Sequence, residues 1–125
     1  SNELTTLPDS LGELVGLKRL HLRRNRLQFL CDSVGRLTNL VELNVAENPL
    51  DTLPLTLAAL TKLNTLILWD SQLGSLPPDL SDLPVKQVDV SGSNLKSFNE
   101  AWKACTHLDV SDNNLSELAC EREGS

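Results

Sequence analysis

Asp89, His107 and Asp109 are the residues of this 125-residue chain whose types suit chemistry, since two carboxylates and an imidazole can share a proton or hold a metal ion. No paired general acid and base, no glycine-rich phosphate cradle and no Cys-x-x-Cys accompanies them. His21, the other histidine, lies too far upstream to complete a triad with them. A solvated acidic patch is the stronger reading, so no catalytic residue, metal ligand or cofactor is assigned and the chain is read as a non-enzyme. A second grouping suits recognition instead. Ile67 and Trp69 stand two residues apart, which in a strand sends both side chains out of one face. A tryptophan there is a candidate anchor, because binding hot spots are enriched in Trp and Arg. The competing reading is that a flanking loop covers it.

These residues can meet only if the chain returns on itself, and a repeat dictates that it does. The pattern L-x-x-L-x-L-x-x-(N/S)-x-L begins at Leu17, Leu40, Leu63, Val85 and Cys105. Its polar anchor falls at Asn25, Asn48, Ser71, Ser93 and Asn113, with Asn2 in register upstream. Such a unit cannot bury its own apolar face and must stack on copies of itself. Period-two alternation sends Leu20 and Leu22 inward and Arg19, His21 and Arg23 outward. Neighbouring units are then expected to pair as parallel strands about 4.8 Å apart. The anchor asparagine is expected to turn inward and satisfy backbone groups at the bend. Serine does this only in part, which predicts weaker third and fourth bends.

Between strands, L-P-x-x-L-x-x-L segments at Leu7–Leu14, Leu53–Leu60 and Leu76–Leu83 predict short helical turns with proline at their start. Cys31 takes the proline position of the second unit, which reads as a structural thiol. The fourth unit loses one residue near Leu83-Pro84-Val85, and the fifth loses three. Asn99 reads as the N-cap of a helical turn carrying Trp102 as core filler. Residues 1–118 are expected to form the repeat domain, incomplete at both ends, and 119–125 an acidic frayed tail. Without evident caps, the chain reads as an excerpt of a longer protein.

Stacking the strands places the outward residues in four rows. The first is Arg19, Glu42, Thr65, Gln87 and His107; the second is His21, Asn44, Ile67, Asp89 and Asp109. The third is Arg23, Ala46, Trp69, Ser91 and Ser111; the fourth is Arg24, Glu47, Asp70, Gly92 and Asp112. The candidate binding residues are Trp69 and Ile67 with Arg19, His21, Arg23, Glu42, Asn44, Asp89 and Asp109. The rows run from basic to acidic, which suits an extended segment of opposite polarity. A solvated mixed surface competes with that reading. Asp89 and Asp109 at matching positions cost stability, which a cation or a partner's basic group would relieve.

Residues 1–62 carry seven basic and seven acidic side chains, and 63–125 carry four and ten, for a net charge of −6. That balance argues against phosphate-backbone binding and so against a nucleic-acid partner. No stretch approaches the roughly 20 apolar residues of a membrane span. An odd number of cysteines without close spacing and no secretory leader predict reduced thiols and a cytoplasmic location. Oligomeric state is not indicated. Asn114-Leu115-Ser116 matches a glycosylation sequon but reads as a tight turn.

The segments LTTLPDSLGELVGLKRLHLRRNRL and LDTLPLTLAALTKLNTLILWDSQL resemble the 23-residue leucine-rich repeats of cytoplasmic scaffolds, such as Ras-pathway and Scribble-type proteins. The resemblance extends from residue 2 to about 118. It implies an α/β leucine-rich repeat solenoid, a horseshoe with a five- to six-stranded parallel concave sheet and short helical turns on its convex side. It also implies a protein or extended peptide bound on the concave face. The alternative is a substrate-recognition segment of a larger enzyme, such as a ubiquitin ligase or a kinase or phosphatase assembly.

Overall fold

The computed structural model describes residues 3–96 and 105–113. Five strands form one parallel sheet in chain order: β1 Arg19–His21, β2 Glu42–Asn44, β3 Thr65–Ile67, β4 Gln87–Asp89 and β5 His107–Asp109. The register is the one that the repeat dictates, with Leu20, Leu43, Leu66, Val88 and Leu108 in line. Each strand is short because the chain bends immediately after the second inward residue. At that bend Arg24, Glu47, Asp70, Gly92 and Asp112 all take left-handed backbone conformations, with φ between 55° and 64°. Only one of the five is glycine, so four of these bends hold an L-residue where sterics disfavour it.

The buried anchors compensate. Asn48 donates to the carbonyls of Leu22, Val45 and Ala46, and its Oδ1 accepts from Leu27 N at 3.0 Å. Asn25 and Asn113 make the same kind of link, Asn25 to Leu22 O and Leu4 N, Asn113 to Val90 O, Val110 O and Leu95 N. The hydroxyls do less, as their chemistry requires. Ser71 Oγ donates to Leu68 O, and Ser93 Oγ donates to the same carbonyl at 2.8 Å and to Ser91 O at 3.3 Å.

The return segments are 3-10 turns, η1 Asp9–Glu13, η2 Asp32–Arg36, η3 Leu55–Ala59 and η4 Pro78–Asp82. Each begins after an extended residue whose carbonyl accepts the first turn bond: Pro8, Cys31, Pro54 or Pro77. Cys31, at φ −68° and ψ 152°, adopts the backbone that its proline counterparts are locked into. It is buried, with Sγ 3.0 Å from Ser33 Oγ, as a structural thiol should be. Leu14, Leu37 and Leu60 carry the chain into a further tight turn, with bonds from Leu17, Leu40 and Leu63. Leu83 instead is extended, at ψ 153°, because a residue before proline is pushed out of the helical region. That shortcut at Pro84 accounts for the missing residue of the fourth unit.

One apolar core runs the length of the stack, from Leu27 to Val110, between the sheet and the turns. Leu20 and Leu22 of the first unit pack against it only in part. The expectations for Asn99, Trp102, the sequon and the acidic tail lie outside the described residues.

Candidate functional site

The outward rows form one continuous surface on the sheet side, and the register brings the candidate residues together as the repeat predicts. Arg19 pairs with Glu42, His21 with Asn44, Asn44 with Ile67, Ile67 with Asp89, and Asp89 with Asp109. Arg23 and Trp69 follow two residues after His21 and Ile67, on strands separated by β2.

Ala46 lies between them and is fully buried, so it belongs to the floor of the site and not to its outward surface. The small side chain leaves room above it. Across that gap, about 9.6 Å in strand spacings, the Arg23 guanidinium lies over the Trp69 ring, 4.9 Å from its centroid. Trp69 and Ile67 are consequently half-buried rather than free-standing. Arg23 Nε also donates to Glu47 Oε1 at 2.7 Å, and Arg24 Nε lies 3.8 Å from the same oxygen. Glu47 therefore holds the arginine that covers the indole. Sequence reasoning placed Glu47 in the fourth row without seeing that role. The available signal was its position, next along that row from Arg24.

The basic first strand is largely answered by the second. Arg19 Nε lies 4.0 Å from Glu42 Oε1, and His21 Nε2 contacts Glu42 Oε2. All these groups are substantially exposed, so each pair is worth little in stability. Their effect is on charge: three arginines face two glutamates, leaving one positive charge over β1 and β2.

Asn44, Asp89 and Asp109 share a local structural duty. Oδ1 of each accepts from the backbone N–H two residues on, Ala46, Ser91 or Ser111, at 3.0–3.1 Å. The hydroxyls of Ser91 and Ser111 add second bonds to the same carboxylate oxygens, at 2.7 and 2.6 Å. This side-chain turn helps end β2, β4 and β5. His107 is turned to its neighbour, with Nδ1 3.0 Å from Thr106 Oγ1. A shallow depression over β4 and β5 is lined by Gln87, Asp89, His107 and Asp109. Among the described residues no group of three or more His, Cys, Asp or Glu is placed to hold a metal ion. No helix among them is long and apolar enough to cross a membrane.

A model of the leucine-rich repeat family matches residues 15–73. Among solved structures, a leucine-rich repeat protein of Leptospira interrogans superposes with a TM-score of 0.90 at 30% identity over 94% of this chain. The chain has the fold of a leucine-rich repeat solenoid. The leucine-rich repeat domain of the type III effector XopL matches at a TM-score of 0.64, with 20% identity over 93% of this chain. A chain of the Drosophila Toll–Spatzle complex matches at 0.65, with 19% identity over 88%. These last two likenesses concern the fold. This chain spans 31% of the Leptospira protein, 51% of the XopL domain structure and 19% of the chain in the Toll–Spatzle complex. No curated protein matches the sequence. Within the solenoid most repeat leucines and anchors are committed to the core, which leaves the outward rows of the sheet free of that duty.

Proposed function

We propose that this solenoid is a non-enzymatic interaction module, of the cytoplasmic scaffold kind, that binds a protein or extended peptide on its concave sheet. Domains built of this repeat generally bind other proteins, and their curvature provides an extended concave surface for it. The observation that carries the reading is the centre of that surface. Ile67 and Trp69 interrupt an otherwise polar face, and Arg23, held by Glu47, lies over the indole. An aromatic–arginine pair fixed before binding supplies contact area at low entropic cost. Arg19, His21, Glu42 and Asn44 flank it on one side, and Asp89 and Asp109 on the other. Cys31 stands as a free buried thiol, which suits a reducing compartment.

The test is replacement of the anchor. Trp69→Ala removes a half-buried side chain above the floor, so the thermal transition should shift little. Affinity for a verified partner should fall by about 2 kcal/mol or more. Unchanged affinity would place the binding surface elsewhere.

A further inference from the structure

The two halves of the concave sheet differ in how their charges are satisfied. Over β1 and β2, every glutamate has an arginine or histidine beside it. Over β3 to β5, the outward rows hold Asp70, Asp89, Asp109 and Asp112 and neither lysine nor arginine. None of these four carboxylates has an ion-pair partner among the described residues. Asp89 and Asp109 stand directly opposite one another on adjacent strands, where like charges are unfavourable. Their serine bonds use Oδ1 of each. The one histidine of these rows, His107, has its Nδ1 3.0 Å from Thr106 Oγ1 and pairs with no carboxylate among the described residues, and Lys86 precedes β4 outside the rows. The surface is therefore not a dipole from end to end. It is a balanced half beside an uncompensated acidic half, with Ile67 and Trp69 at the boundary.

We infer that the unpartnered sheet face over β3 to β5 takes an extended basic segment of a protein partner, with an apolar residue against Ile67 and Trp69 and lysine or arginine opposite Asp89 and Asp109. This rests on the concave-face reading and adds the partner's chemistry to it. Charge complementarity selects the occupant: a basic segment supplies the cations that this half lacks, whereas an acidic one adds to the repulsion. The spacing agrees. Neighbouring strands offer carboxylates about 4.8 Å apart, and same-side residues of an extended chain lie roughly 6.6 Å apart. Flexible lysine and arginine stems span that difference.

Selection of random dodecapeptides displayed on phage, against the intact chain, tests this. The recovered peptides should be enriched in lysine and arginine over the starting library and carry an apolar residue at fixed spacing. Their affinity should fall at least tenfold for the double variant Asp89→Asn with Asp109→Asn, and fall again as salt rises from 50 to 300 mM. Asparagine keeps the Oδ1 acceptor for Ser91 and Ser111, so the bends survive and circular dichroism should be unchanged. Neutral or acidic peptides that lose binding with Trp69→Ala would overturn the basic partner and leave the concave reading standing. Peptides indifferent to all three substitutions would overturn both. Recovery of no peptide would overturn the extended segment, while Trp69→Ala against a folded partner still decides the concave reading.

Discussion

Asn48 is 1% exposed, and its amide joins the carbonyls of two adjacent units while its oxygen accepts from Leu27 N. Replacing it with alanine strands several backbone groups that water cannot reach, at a cost of roughly 1–3 kcal/mol for each. Asn48→Ala should therefore lower the urea-unfolding free energy by at least about 3 kcal/mol. Ser71→Ala removes one hydroxyl bond to Leu68 O and should cost about 1 kcal/mol. Equal losses at the two sites would deny the asparagine its bridging role. The inward turn of these anchors was legible in the sequence, because a polar residue recurring in a leucine frame must be buried and must find partners. The double duty of Asn44, Asp89 and Asp109 was not. An outward carboxylate reads the same whether it faces a ligand or bonds a backbone N–H two residues on. Ala46 misled for a related reason: alternation puts it outward, but its small side chain lies below the Arg23–Trp69 contact.

Stacking of the 3-10 turns depends on small residues that leucine periodicity does not reveal. A Cβ on Gly35 would sit 2.6 Å from the Thr56 carbonyl oxygen and 2.5 Å from its Cβ, and one on Gly12 would sit 2.8 Å from Ser33 O. These glycines let η1, η2 and η3 approach backbone to backbone. Gly35→Ala must push η2 away from η3 and should destabilise by about 1–3 kcal/mol in a thermal melt. Gly16→Ala meets nothing within 4 Å and should leave the midpoint nearly unchanged. A comparable loss at both positions would show that chain entropy, not close approach, governs these sites. The turns themselves were legible from L-P-x-x-L. That Cys31 could stand in for proline followed from its place in the repeat, and its extended backbone gives the physical reason. Pro84 was visible only as a register break, and its effect on Leu83 explains the shorter unit.

Across the whole solenoid, a residue's contribution depends on whether a unit stacks on each side of it. Leu20 and Leu43 hold the same motif position, but Leu43 is fully buried in the second unit and Leu20 only half-buried in the first. Leu43→Ala should cost about 3–5 kcal/mol, and Leu20→Ala about half as much, in equilibrium denaturation. Parity between them would indicate that the first unit is as well covered as the second. The fold was legible because repetition states the same constraint five times, whereas the proposed binding surface is written once, in residues that the repeat leaves free. The side of the molecule used for binding is the central claim, and one alternative surface is specific. A groove among the turns, lined by Phe29, Cys31, Asp32, Leu55 and Thr56, exposes Phe29 and Leu55 to solvent. Amide chemical-shift mapping during titration with a peptide recovered by the selection separates the two. Perturbations should concentrate at residues 42–47, 65–70, 87–92 and 107–112; a response confined to residues 29–36 and 55–59 would contradict binding on the sheet.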